Sequence, residues 1–152
     1  MAEIPRNNTG LSGEHFVAAE LYRIGWSVGM TIGNAKAVDL FAEKENTIVQ
    51  VQVKSIYKRK NVGWPIMQDQ IKNNCIYIFV NLNADSMTYP EFYICTSEEA
   101  YEKTSQYATR GIVNIKLVDN TKCRDRWDKL QLKPYATENL TQTSRGYCSC
   151  LD

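Results

Sequence analysis

Cys75-Ile76-Tyr77-Ile78-Phe79-Val80-Asn81-Leu82 is a nearly continuous apolar run. A strand with one wet face alternates apolar and polar residues, whereas a short unbroken run fits a strand covered on both faces. Such a strand sits in the interior of a sheet with other chain packed above and below it. The chain has 152 residues, of which 43% are apolar, so a core able to cover both faces is within reach. Residues 1–152 read as a single domain, with a core over about 9–130 and a polar tail over about 133–152.

The flanking segments supply the rest of an α/β architecture. Ser12-Gly13-Glu14 opens an amphipathic stretch that runs to Ile24, and Gly25 stands where a helix commonly ends. Glu14, Ala18 and Leu21 share one face of that helix, with Val17 and Ile24 close by. A carboxylate on the apolar face is unusual. The period then changes to two. Trp26–Thr31, Ala37–Glu43 and Ile48–Lys54 read as strands, the last two joined by a turn at Lys44-Glu45-Asn46. Pro65 is placed to start a second helix ending near Asn74. Glu91–Cys95 is a further strand, and Thr96-Ser97-Glu98-Glu99 fits a capping box for a helix to about Ser105. Ile112–Val118 is extended, and Thr121–Leu130 a short charged helix. The expected fold is a mixed sheet flanked by helices.

The hairpin carries the chemistry. Val49, Val51 and Val53 point one way and Gln50, Gln52 and Lys54 the other; Val38, Leu40 and Ala42 share a face that leaves Asp39 opposite. Pairing Asp39 across from Gln52 or Gln50 keeps both apolar sets together and gathers Asp39, Gln52 and Lys54 on the other side. Mg²⁺ takes oxygen ligands: carboxylate, amide or backbone carbonyl, water and substrate phosphate. Asp39 would supply the carboxylate, Gln52 an amide oxygen and Val53 its carbonyl. Glu14 could ligate directly or through water, and Lys54 could orient the attacking water and offset charge on the phosphate. The set suits metal-assisted phosphodiester hydrolysis.

The sequence here resembles the PD-(D/E)XK nuclease superfamily. The residues that carry the resemblance are Gly13-Glu14-His15-Phe16-Val17-Ala18-Ala19-Glu20-Leu21, Gly25-Trp26, Val38-Asp39-Leu40 and Ile48-Val49-Gln50-Val51-Gln52-Val53-Lys54. They cover roughly the first half of the chain and are most similar to Holliday-junction-resolvase-like and intron-encoded members. The resemblance implies a restriction-endonuclease-like αβββαβ core and DNA cleavage with Mg²⁺, for which Mn²⁺ can substitute. By motif position it makes Asp39 the metal aspartate, Gln52 the second-motif residue, Lys54 the lysine and Glu14 the first-helix glutamate. Val38 stands where the motif's proline would be, and Gln52 replaces an acid, removing a negative charge from the site. Two functions follow. One is a metal-dependent DNA endonuclease of repair, restriction or mobile-element biology. The other is a nuclease fold without catalysis that binds nucleic acid or a protein partner.

Blander readings stand beside these. Asp39, Gln52 and Lys54 could be the polar face of a half-exposed hairpin, and Glu14 a first-turn acid favoured by the helix dipole. His15 points about 100° away from Glu14 and reads as a surface or packing residue. Lys58-Arg59-Lys60 leaves the last motif strand and, with Gln50, could contact DNA; phosphate contacts position a duplex without reading it. Trp64 and Trp127 read as packing anchors. Net charge is +1, so no global basic field recruits nucleic acid. Five scattered cysteines and one histidine leave few metal-site or triad options, and Cys148 with Cys150 make only half a zinc site. No run approaches the ~20 apolar residues of a membrane helix. The expected setting is cytoplasmic, with DNA as partner, no membrane, and a homodimer as one assembly that lets two sites reach two strands.

Overall fold

A computed structural model describes residues 4–31, 38–57 and 63–131. The chain opens with helix α1 (Arg6–Arg23), followed by strands β1 (Ser27–Met30), β2 (Leu40–Lys44), β3 (Thr47–Ile56) and β4 (Gly63–Pro65). Strands β5 (Cys75–Asn81) and β6 (Glu91–Thr96) come next, then α2 (Ser97–Lys103), β7 (Thr104–Gln106), β8 (Gly111–Asn114) and α3 (Ile115–Val118). Short 3₁₀ turns cover Gln68–Gln70 and Trp127–Gln131.

The main sheet has the order β1-β2-β3-β5-β6. β3 and β5 run parallel, and all other neighbours run antiparallel. Every residue of β5 is buried, as expected of a strand enclosed on both faces. On one face α1 packs Val17 and Leu21 against Val51, Val53, Ile76 and Ile78, with Leu130 closing the edge. The other face carries Tyr77, Phe79, Tyr93 and Cys95, covered by Trp64, Val113, Ala100 and Val118. That cover is a small antiparallel sheet of order β4-β8-β7 together with α2 and α3.

Helix α1 begins at Arg6, upstream of the expected start at Ser12. The Pro5 carbonyl accepts the Asn8 and Thr9 N–H groups, and Gly10 and Gly13 are carried inside the helix by its packing. Glu14 therefore lies mid-helix, not in a first turn where the dipole would favour it. The C-terminus is as read. Gly25 takes φ +94, and the bonds Gly25 N–H to Tyr22 O and Trp26 N–H to Leu21 O form a Schellman motif.

The expected helix from Pro65 to Asn74 does not form. Its span holds the end of β4 and one 3₁₀ turn. Trp64 is fully buried and donates its indole N–H to the Val80 carbonyl at 3.0 Å, which fixes the segment as strand. Pro65 is tolerated because β4 is an edge strand, where a missing N–H costs no ladder bond. The extended stretch Ile112–Val118 divides into β8 and α3, with Asn114 capping the Lys116 N–H at 3.0 Å. The charged helix expected over Thr121–Leu130 is interrupted at Asp125 (φ +51), leaving only the 3₁₀ turn. The tail from residue 132 onward, with Cys148 and Cys150, lies outside the described residues.

Candidate active site

β2 and β3 pair with Leu40 opposite Val51 and Phe41 opposite Gln50. The pairing ends at Leu40: the register breaks at Asp39, and Val38 turns to the Trp64 face while Leu40 and Ala42 stay on the α1 face, so the expected common face of Val38, Leu40 and Ala42 is not kept. The Asp39 N–H donates to the Val51 carbonyl at 3.1 Å, and its Oδ2 accepts the Val53 N–H at 2.8 Å. The carboxylate thus stands where the carbonyl of a continuing β2 would stand, and the two strands part at this point. In an antiparallel ladder a residue's N–H and C=O face the same neighbour. The Val53 carbonyl is therefore directed toward the side on which Asp39 lies.

Asp39 and Gln52 are each only 8% exposed, as is Glu14. Three polar side chains this deeply buried are not a solvated hairpin face, which disposes of the blander reading for Asp39 and Gln52. Glu14 arrives on the α1 side of β3. An added Cβ on Gly13 would stand 1.7 Å from Ser55 Oγ and 3.6 Å from Val53 Cγ1. Gly13, the residue before Glu14, thus packs closely on Val53 and Ser55 of β3. Lys54 and Gln50 lie on the face of β3 opposite α1 and are partly buried.

The register of β3 with β5 continues the row. Gln52 is opposite Tyr77, Lys54 opposite Phe79 and Gln50 opposite Cys75, whose thiol lies 3.7 Å from Gln50 Oε1. Burial raises the pKa of the Tyr77 phenol, the backbone N–H of Lys72 donated to its oxygen at 2.7 Å opposes this, and the Cys75 and Asp39 charges push it further up. The Asp39 field thus reaches Tyr77. Burial also raises the Cys75 thiol, and the charge of nearby Lys72 partly offsets it. Tyr77 and Lys72 escaped the sequence reading. Tyr77 was absorbed into an apolar run, and only strand register could have placed it beside Gln52.

Lys58, Arg59 and Lys60 lie outside the described residues. His15 is exposed, with Nδ1 2.7 Å from the Leu11 carbonyl, and takes no part in the site. Trp64 is a packing anchor, as expected, and Trp127 packs on Phe92 with ring centres 5.4 Å apart. A cavity of about 490 Å³ between the start of α1 and the β5–β6 connection is lined by Phe16, Leu82, Met87 and Tyr89, and by none of Glu14, Asp39, Gln52 and Lys54.

Two solved structures are similar to this chain in fold. A bacterial homing endonuclease, I-Ssp6803I, superposes with a TM-score of 0.61 over 91% of this chain and 100% of its own, at 16% identity. The chain has a restriction-endonuclease-like fold. Hjc, a Holliday junction resolvase from the archaeal hyperthermophile Archaeoglobus fulgidus, matches with a TM-score of 0.50 at 11% identity. That match covers 72% of this chain and 91% of the resolvase. At such identities the likeness is one of fold. No protein-family model and no curated protein matches the sequence. Asp39, Gln52 and Val53 lie where β2 and β3 part. No helix among the described residues is long and apolar enough to cross a membrane.

The donor set suits a hard divalent cation. The residue types are a carboxylate at Asp39, an amide oxygen at Gln52 and the Val53 backbone carbonyl, with a further carboxylate at Glu14 on the helix side. Among the described residues a second group with metal-ligand atoms, Cys95, Glu99 and Cys123, lies elsewhere and offers softer donors.

Proposed function

We propose that this protein is a metal-dependent endonuclease that hydrolyses phosphodiester bonds of DNA at the Asp39–Gln52 junction. The observation that carries the reading is the split hairpin. A buried carboxylate at the end of β2 accepts the Val53 N–H beside Gln52, in the fold shared with a homing endonuclease and a resolvase. Asp39, Gln52 and the Val53 carbonyl would hold Mg²⁺ or Mn²⁺, with Glu14 contributing from the helix side, directly or through water. When bound, the cation would polarise the phosphate and acidify water.

The chain's own groups have separate tasks. Asp39 Oδ2 fixes the strand junction through the Val53 N–H, and the carboxylate would supply the anchoring charge for the cation. Lys54 projects from the same face of β3 as Gln52, where its ammonium can orient a water and offset charge developing on the phosphate. Gln52 contributes an oxygen without charge, so the site relies on Asp39 and Glu14 for negative field. Gln50, with Lys58, Arg59 and Lys60, is assigned to the DNA backbone, whose contacts position the substrate without reading its sequence.

The test is cleavage of plasmid, linear, single-stranded and branched DNA with Mg²⁺ or Mn²⁺, comparing wild type with Asp39→Ala and Lys54→Ala. Cleavage that requires metal and vanishes in both variants supports the nuclease. Cleavage surviving in both would place the activity elsewhere. DNA binding with no cleavage on any substrate would favour a nuclease fold that only binds, the reading suggested by the uncharged Gln52.

A further inference from the structure

Cys95 of β6 and Cys123, in the turn after α3, lie with their sulfurs 3.6 Å apart, Cys95 donating to Cys123. Both are fully buried. Their backbones are already held together. The Ile94 N–H donates to the Cys123 carbonyl at 2.8 Å, and Tyr93 pairs antiparallel with Arg124. Lys129, only 5% exposed, directs its ammonium into the same spot. Its Nζ donates to the Ile94 carbonyl at 2.9 Å and to Glu99 Oε2 at 2.8 Å, and lies 3.9 Å from Cys123 Sγ. The nuclease reading uses none of these groups, although Cys95 pairs with Tyr77 and so stands in the same cross-strand row as Gln52.

We infer that Cys95 and Cys123 form a dithiol that hydrogen peroxide converts to a disulfide, with Cys123 as the attacking sulfur, Cys95 as the resolving sulfur and Lys129 as the cation that holds the thiolate. Both the thiol proton of Cys95 and the ammonium of Lys129 point at Cys123, so negative charge is best placed there. The hydrogen bond from Cys95 lowers the Cys123 pKa, burial opposes it, and the Lys129 and Lys103 charges lower it further. The same hydrogen bond and burial raise Cys95, keeping it a thiol.

The atoms balance as follows. The Cys123 thiolate attacks one peroxide oxygen; an S–O bond forms, the O–O bond breaks, hydroxide leaves, and the sulfur is oxidised by two electrons to a sulfenic acid. Cys95 then attacks that sulfur. The S–S bond forms, the S–O bond breaks, and the Cys95 proton departs with the hydroxyl as water. The sulfurs must close from 3.6 Å to about 2.05 Å, a side-chain adjustment between segments already hydrogen-bonded. Only a small neutral oxidant suits sulfurs this buried, and the partly exposed Glu99 marks the side facing solvent.

The alternative for these atoms is a soft metal, since the donor atoms of Cys95, Glu99 and Cys123 lie within 4.8 Å of one another. Lys129 argues against it. Its ammonium already sits among them as a cation, and a divalent ion would have to displace it.

The protein carrying Cys148→Ser and Cys150→Ser is treated with H₂O₂, quenched, alkylated under denaturing conditions and mapped by mass spectrometry. A peptide linking Cys95 to Cys123, restored to free thiols by dithiothreitol, with Cys75 alkylated throughout, is the expected result. Lys129→Met should form the link roughly tenfold more slowly through its lost thiolate, while Lys129→Arg keeps most of the rate. The inference is overturned if both cysteines stay alkylatable at doses that oxidise free cysteine, or if they form irreversible acids without a link. It is also overturned by stoichiometric Zn²⁺ that survives dialysis and disappears in Cys123→Ser. Equal rates in Lys129→Met and wild type would remove Lys129 from the scheme.

Discussion

Asp39 serves the fold through a backbone hydrogen bond and, in the proposed function, serves chemistry through its charge. Its Oδ2 accepts the Val53 N–H at 2.8 Å, so the two roles separate by substitution. Asp39→Asn keeps an acceptor and should leave stability within about 1 kcal/mol while abolishing metal-dependent cleavage. Asp39→Ala orphans a buried N–H and should cost about 1–3 kcal/mol more in urea unfolding. If the two variants unfold alike, the side chain is not part of the strand junction. The glycines of α1 make a second pair. An added Cβ at Gly13 meets Ser55 Oγ at 1.7 Å and Ser55 Cβ at 2.7 Å, whereas at Gly10 nothing lies within 4 Å. Gly13→Ala should therefore destabilise by about 1–3 kcal/mol and disturb Glu14, and adding Ser55→Gly should recover much of that. Gly10→Ala should stabilise by about 0.5–1 kcal/mol. That Gln52 and Lys54 share a face of β3 was legible because a period of two fixes it, whereas the break in register at Asp39 was not, since it depends on bonds to Val51 and Val53. Gly13 was legible only as a motif letter, since its reason is a residue 42 positions away on β3.

The elements divide by how locally they are determined. The α2 capping box is local. Thr96 Oγ1 accepts the Glu99 N–H at 3.2 Å and Glu99 Oε2 accepts the Thr96 N–H at 2.9 Å, as the four-residue signature foretold. Pro65 misled because its N1 signal is also local, while Trp64 is held by a carbonyl on β5 and β4 pairs with β8. Gln68 shows the same dependence, donating its N–H to Gln106 Oε1 at 2.9 Å. Glu99 also ties α2 to the last turn. Burial would raise its pKa, but the Lys129 hydrogen bond, the Thr96 N–H and the lysine charges outweigh it and hold the carboxyl below its ordinary range. A depressed carboxyl stabilises the fold fully above its unfolded value of about 4.3 and loses that contribution as pH falls through the lower folded value. Glu99→Gln should therefore flatten the acid limb of the stability curve relative to wild type. Parallel acid limbs in the two proteins would show that the pair contributes nothing to it.

On the scale of the whole molecule, the main sheet acts as a ruler. Its registers set Gln52, Tyr77 and Cys95 in one lateral row, and Asp39 is tied to the same strand through the Val51 carbonyl and the Val53 N–H. These groups are drawn from distant parts of the sequence, so anything bound among them is bound by the assembled sheet and not by the unfolded chain. A ligand of the native state alone raises stability by RT ln(1 + [L]/Kd), about 1.4 kcal/mol at ten times Kd. For a chain of this size each kcal/mol moves the midpoint by roughly 2–4 °C. Mg²⁺ or Mn²⁺ should thus raise the Tm of wild type by about 3–6 °C at that excess, with the shift lost in Asp39→Asn. Lys54→Ala should retain the shift while losing cleavage, because the lysine acts on water and phosphate and not as a ligand. Loss of both in Lys54→Ala would make the ammonium a support of the site's structure. A wild-type Tm indifferent to millimolar metal, with DNA absent and with DNA present, would leave the fold as a platform for binding and remove hydrolysis from its functions.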